Sequence, residues 1–356
     1  MNENRRRICF LFNAQRHQLL HGVSTALHLA RRGDFDVHIL SPNAGHIAYA
    51  RRLIDEMGGA PIHYEIANPP VLRIARRLKG SANPPKLLTL AMLARRLNRF
   101  DAIALPERTS IFLKRLGVTR PAFIHIDHGA GDRAAGFDRR IAQFDLALMA
   151  GEKTRARLQR EGLIHEGRHA VVGYPKFEAA DAARDADWRP FANDKPIVLY
   201  NPHFSTLGSW DRFGVAVVEA FADDDRYNLI VAPHVRLLDG RRGRERWADL
   251  VRRFGQHPNI LLDPGSDRSI DMSYTAIADI YLGDVSSQVY EFLRSPKPCL
   301  FLDAQGIAWE GDENYAHWHF GPVLRSTADL PDAVDAARAN HADFAPVQAA
   351  AFAETF

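Results

Sequence analysis

No run of eighteen apolar residues occurs in this 356-residue chain, so it carries no segment long enough to cross a bilayer as a helix. Cysteine is scarce: Cys9 and Cys299 both fall in expected strands and read as small core residues of a reducing compartment. An excess of one charge is missing too. Lys and Arg number 46 against 43 Asp and Glu, a net +3, which argues against a dedicated nucleic-acid binder. No GxGxxG follows the first expected strand, so a nicotinamide dinucleotide site gets little support. There is no internal repeat, low-complexity tract or metal-type cysteine cluster. The opening MNENRRRICFLFN has a basic patch but too short an apolar run for a signal peptide, and a cytoplasmic protein is expected.

What is present suffices for two hydrophobic cores: 46% hydrophobic and 25% charged residues over a length that favours two domains. Strands are expected at 7–12, 36–40, 62–66, 102–105, 122–126, 146–149 and 170–172, with helices over 17–32 and 46–57 among them. The alternation predicts a doubly wound α/β domain over 1–175. A polar, alanine-rich connection follows at 176–195. A second α/β series then runs over 196–340, with strands at 197–200, 229–232, 260–262, 280–282, 299–302 and near 323–324, and helices including 212–221, 244–254 and one from 330. Residues 341–356 read as a C-terminal helix crossing back to the first domain.

Residues 68–100 interrupt the rhythm. Two proline pairs bracket the helical pieces VLRIARRLKG and KLLTLAMLARRLNRF, and no acidic residue lies between Glu65 and Asp101. Arg73, Arg76, Arg95 and Arg96 are among eight basic residues there. Such a segment can lie on an anionic membrane surface or hold an anionic acceptor, and it also fits two packed helices with solvated arginines.

Three histidines sit just past expected strands: His128 before a Gly-Ala-Gly turn, His203 in YNPHFS and His234 in VAPHVR. Each can be a structural hydrogen-bonder. An imidazole in such a loop also suits proton acceptance near neutral pH, and three from two halves could face one cleft. No HxH, HxxxH or Asp-paired spacing supports these three as metal ligands.

The most informative stretch runs from Tyr281 to Leu302, YLGDVSSQVYEFLRSPKPCLFL. It reads as strand, turn, helix, strand, the unit of a parallel sheet. Ser286 or Ser287 can cap the helix, and two hydroxyls beside free N–H groups suit a phosphate. Glu291, one turn in, can accept hydrogen bonds from ligand hydroxyls. The same residues fit an ordinary capped helix.

Taken together, these elements resemble the CDP-glycerol glycerophosphotransferase family, builders of teichoic-acid-type polymers. The resemblance rests on His128-Gly129; on Gly173-Tyr174-Pro175-Lys176; loosely on Tyr200 to Ser205; on Pro233-His234; on Gly283-Asp284-Val285-Ser286-Ser287 to Phe292 followed by Lys297-Pro298; and on Gly321-Pro322. The first 120 residues carry no matching motif, the family's Thr-Trp-Arg cluster is missing, and Val235 stands where it has proline.

The resemblance implies a GT-B architecture, two Rossmann-like doubly wound domains facing a cleft. It implies transfer of a polyol phosphate from a CDP-activated donor to a hydroxyl of a glycan or lipid-linked acceptor. His128 would be the base. His234, Ser286 and Ser287 would hold the pyrophosphate, Glu291 the ribose, and Asp284 would shape the turn. His203, Tyr200, Gly173 and Pro175 would complete the donor side. Arg73, Arg76, Arg95 and Arg96 would serve the acceptor or a peripheral contact with the inner membrane. No metal and no cofactor is expected, and no nucleic-acid partner. The rivals are a GT-B glycosyltransferase using a nucleotide-sugar, a sugar epimerase drawing on Asp127, Asp132 or Glu178, and a non-catalytic assembly factor for a polysaccharide pathway.

Overall fold

The computed structural model describes residues 5–67, 69–72 and 85–356. The chain divides into two compact units. The first comprises residues 1–128, 137–183 and 356, the second 129–136 and 184–355.

The first unit is built on seven parallel strands, ordered β3-β2-β1-β4-β5-β6-β7. In chain order these are β1 (Arg6–Leu11), β2 (Phe35–Ser41), β3 (Ile62–Ile66), β4 (Ala102–Leu105), β5 (Ala122–Ile126), β6 (Leu146–Met149) and β7 (His169–Val171). Helices α1 (Val23–Arg32), α2 (Ala44–Glu56), α3 (Lys86–Leu97), α4 (Glu152–Arg160) and α5 (Lys176–Ala183) connect or follow them. On one face, Leu90, Leu93 and Leu97 of α3 pack with Cys9, Leu11, Leu40 and Phe123. Burial pushes the Cys9 thiol up to about 12, which fits an inert core residue.

The second unit carries six parallel strands, ordered β10-β9-β8-β11-β12-β13. They are β8 (Ile197–Tyr200), β9 (Asn228–Val231), β10 (Ile260–Leu262), β11 (Ile280–Gly283), β12 (Cys299–Leu302) and β13 (Val323–Leu324). Its helices are α6 (Trp210–Ala222), α7 (Arg241–Phe254), α8 (Ser273–Ile277), α9 (Gln288–Phe292), α10 (Leu330–Ala339) and α11 (His341–Thr355). Strands buried on both faces need continuous apolar runs, and NLIV and CLFL are such runs. Trp210, Val217, Phe221, Leu229 and Leu300 share their core.

Both sheets reverse direction at their first strand: β1 has β2 on one side and β4 on the other, and β8 has β9 and β11. Open α/β sheets take ligands at the carboxyl ends of the strands flanking that reversal. The two sheets also share an edge device. Asp101, Asp145 and Asp279 each precede a strand and accept a backbone N–H from the first or second residue of its neighbour: Arg7, Phe123 and Ile197, all at 2.8 Å.

The expected strands are present within a residue or so of their bounds. The helix expected over 17–32 is not continuous. A 3₁₀ turn over Arg16–His21 stops at Gly22, whose backbone leaves the helical region, and α1 starts at Val23. Gly22 passes so close to Phe12 that a Cβ there would meet its ring at 3.0 Å. The stretch expected as an interdomain connection starts with α5, which belongs to the first unit, while residues 184–195 belong to the second. Helix α11 belongs to the second unit and Phe356 to the first, where it packs on Tyr174 and Phe177.

Candidate functional site

In the second unit, one carboxylate holds the loop after β8 against the end of β11. Asp284 is fully buried. It accepts from the backbone N–H of His203 (3.0 Å), of Ser209 (2.7 Å) and of Val285 (2.6 Å), and from the Ser209 hydroxyl (2.9 Å). Burial raises its pKa and these donors oppose the rise. Both oxygens are therefore engaged, and Asp284 organises the turn from within. Tyr200 is likewise buried, its hydroxyl 2.8 Å from Ser209, so it supports the site from behind. Asn201 donates to the Ala232 carbonyl and accepts from the Ser286 hydroxyl at 2.7 Å, tying the ends of β8, β9 and β11 together.

On this frame sit the groups that can meet a ligand. The His203 and His234 rings lie 5.6 Å apart. His203 Nε2 accepts from Arg133 Nη2 at 3.0 Å, and Nδ1 lies 3.0 Å from Ser205 Oγ. His234 Nδ1 accepts from the Arg236 backbone N–H at 3.2 Å, which leaves the ring hydrogen on Nε2 as a donor. Burial, with nearby guanidiniums, lowers His203 to about 2 and His234 to about 4, so both are neutral donors or acceptors at neutral pH. Ser287 occupies the N-cap position of α9 but its side chain makes no cap bond, whereas Ser286 is committed to Asn201. The helix itself is short, from Gln288 to Phe292. Glu291 is buried within it.

The loop over residues 129–136 is part of this site. Asp132 is buried and accepts from the Tyr290 hydroxyl at 2.8 Å, with His317 Nδ1 at 2.8 Å and its backbone N–H at 3.1 Å. His317 Nε2 donates to the Asp284 carbonyl at 3.0 Å, as does Trp318 Nε1 at 2.7 Å. Gly131 approaches Ser287 so closely that a Cβ would lie 2.7 Å from the serine Cβ. Arg133 and the His317-Trp318 pair were not singled out in the sequence, and Asp132 was named there only as a carboxylate for the epimerase reading. The Gly-Ala-Gly turn was the signal, since close backbone approach needs glycine.

In the first unit, His128 follows β5. One ring nitrogen bonds the Pro106 carbonyl, and Nδ1 is buried with no partner among the described residues. That arrangement fixes the tautomer and leaves Nδ1 with a free lone pair, which a ligand hydroxyl or a water would satisfy. Burial and Arg108 lower the ring to about 4. Its histidine neighbours here are His17 and His21, with ring centroids 6.4 and 6.3 Å away. Glu107, Asn13 and Ser110 lie at the same strand ends. Burial raises Glu107, but Lys86 and Thr109 outweigh it and hold the carboxyl down to about 2. Asn13 and Ser110 bond each other.

The remaining expected residues fall elsewhere. Gly173, with φ +78°, and Pro175, whose carbonyl accepts from Ser24, form the turn after β7 in the first unit, so the expected donor set is divided between units. Arg96 pairs with Glu65, and Arg95 lines a cavity of about 440 Å³ with Arg7, Arg96, Arg99 and Phe100 beside the amino ends of β1 and β4. Arg73 and Arg76 lie outside the described residues. Among the described residues no helix is long and apolar enough to cross a membrane.

No protein-family model matches the chain, and no curated protein matches it in sequence. Solved structures do. A wall teichoic acid polymerase, TagF, as a histidine variant soaked with CDPG, is similar with a TM-score of 0.62 at 13% identity, covering 100% of this chain and 85% of that one. A UDP-GlcNAc 2-epimerase from Neisseria meningitidis, bound to UDP-GlcNAc, gives 0.60 at 12% identity, covering 98% and 94%. A glycosyltransferase from Rickettsia africae gives 0.52 at 15%, covering 99% and 93%. These likenesses place the fold among GT-B-like proteins of two Rossmann-like domains.

Replacing Asp284 by Asn puts an amide N–H₂ against backbone donors. We expect a loss of about 2–4 kcal/mol of stability by urea denaturation, given roughly 1.5–3 kcal/mol for each bond to a charged group and partial relaxation. Unchanged stability would contradict the organising role. The buried histidines set a pH response. His46, His128 and His234 are lowered to about 4 and His125 to about 3. The unfolded chain takes up protons below about 6.5 while the folded one does not, so stability is complete above that pH and falls as pH drops toward 4, by about 1.4 kcal/mol per unit per proton. Urea midpoints equal at pH 7.5 and pH 5 would refute this.

Proposed function

We propose that the chain is a transferase that moves glycerol phosphate, or a similar polyol phosphate, from a CDP-activated donor to a hydroxyl of a cell-envelope glycan or glycolipid. The observation that carries this reading is the gathering of Arg133, His203, His234 and Ser287 over the Asp284 frame, where the second sheet reverses. Such a set offers N–H and O–H donors to a pyrophosphate, with the nearby Asp284 and Asp132 carboxylates already engaged by protein donors, and it suits charge developing on a departing nucleotide. The acceptor oxygen forms a bond to the phosphorus bearing the polyol, the bridging P–O bond breaks, and CMP leaves with the electron pair. His128 Nδ1 takes the acceptor proton. His234 Nε2–H and Arg133 face the leaving phosphate, and Glu291 is the candidate for the ribose. Arg95 and its neighbours lie at the opposite end of the first sheet's strands from His128, so we assign that basic cluster to a membrane surface or to a remote part of the acceptor rather than to the reacting hydroxyl.

The epimerase reading needs a carboxylate free to move a proton at the sugar. Asp132 is locked by Tyr290 and His317, and Glu178 pairs with exposed His28 at 2.8 Å. Both disfavour it. A nucleotide-sugar transferase would use the same phosphate contacts.

The test is a thermal-shift comparison of CDP-glycerol, CMP, CDP, UDP-sugars and GDP-sugars, because only ligands of the folded state raise the melting point. We expect a shift with the cytidine ligands and its loss in His234→Ala. His128→Ala should keep the shift and lose transfer, and removing one donor to the leaving group should cost about 10²–10³ in rate. A shift confined to uridine or guanosine ligands would reassign the donor to a sugar nucleotide, and no shift with any of them would defeat the reading.

A further inference from the structure

At the far edge of the first sheet, β2 and β3 place four ligating side chains on one face. Alternation puts Asp36 and His38 together on β2, and His63 and Glu65 together on β3, while the parallel register sets His38 directly beside His63. The two imidazoles stack at 4.7 Å. His38 Nε2 lies 3.1 Å from Asp36 Oδ2, and His63 Nε2 lies 2.9 Å from Asp36 Oδ1. The three ligand atoms fall within 4.8 Å of one another. Two atoms sharing one zinc at bonds of about 2.0–2.1 Å sit about 3.3 Å apart, close to the separations seen.

The fourth side chain supplies what a histidine ligand needs. Glu65 Oε1 is 2.8 Å from His38 Nδ1 and accepts its hydrogen. A neutral imidazole then turns the Nε2 lone pair toward the Asp36 carboxylate, acceptor facing acceptor. A divalent cation between them removes that opposition, and a carboxylate behind a ligating histidine is the usual orienting partner. Arg7, 3.6 Å from Asp36, and Arg96, paired with Glu65, partly neutralise the two carboxylates, and a bound ion competes with them. His63 is largely exposed, which leaves one side open to water.

We infer that Asp36, His38 and His63 form a binding site for a divalent transition-metal ion of the zinc class, with Glu65 as the positioning residue of His38. The ion would tie the edge strand β3 to β2, in the amino-terminal half of the strands and away from the carboxyl ends that carry His128.

The test uses the full chain, stripped with chelator, dialysed against micromolar Zn²⁺ and counted by mass spectrometry of the metal. Wild type should hold one more ion per chain than either His63→Ala or Asp36→Asn. Glu65→Gln should weaken binding about 10–100-fold. His28→Ala, at an exposed histidine outside the cluster, should bind as wild type does. His63 is a surface residue, so its variant should fold, and circular dichroism checks this. No ion in the wild type, or equal occupancy in wild type, His63→Ala and Asp36→Asn, overturns the proposal.

Discussion

A single buried carboxylate sets the geometry of the second unit. Four donors from two chain segments, the loop after β8 and the turn after β11, converge on Asp284, and the energy of leaving a buried carboxylate unpaired fixes where those segments go. The loop after β8 is drawn against the end of β11, so His203 and the Ser286-Ser287 turn come from separate strands yet share one crevice. The Asp284 carbonyl is also used, by His317 and Trp318, and His317 passes the constraint on to Asp132. The result is a rigid floor whose polar atoms are spent internally. Arg133, His234 and Ser287 project from it with capacity remaining. Preorganisation of this kind is what phosphate chemistry asks of a protein, since donors fixed in advance need not reorganise when charge develops.

Much of the fold was legible because parallel strands buried on both faces must be short apolar runs, and runs such as IVLY, NLIV and CLFL are unambiguous. Residues just past those runs were legible as site candidates for the same reason: strand ends are where open sheets bind ligands. His203 and His234 do meet. Other features were hidden because they depend on register or on close approach, which periodicity does not report. At the break, Gly22 lies so close to Phe12 that a Cβ would meet its ring. Gly131 is required by Ser287, far away in sequence. Asp284 was expected to shape its turn and is engaged there by four donors, whereas Tyr200 was expected on the donor side and is a buried support, because the burial of a polar residue cannot be read without its partners. The Asp36–His38 and His63–Glu65 pairs look like ordinary strand alternation until the register sets them side by side.

The two sheets solve one problem twice. Each reverses at its first strand, and in each an aspartate before a strand takes up a backbone N–H at the start of the strand alongside. That aspartate finishes a ladder whose last donor would otherwise face water or nothing. The carboxyl ends differ instead: histidines, Glu107 and an Asn13-Ser110 pair in one, and the Asp284 frame in the other.

The eight residues from Gly129 to Gly136 have a bearing on domain dissection. By sequence they sit inside the first Rossmann-like half, yet their packing belongs to the second. A fragment cut at the main boundary near residue 184 would therefore be born incomplete, with Tyr290 and His317 robbed of the carboxylate they were folded around. The second unit is discontinuous in sequence, and an excised version of it would have to carry that octapeptide as a graft.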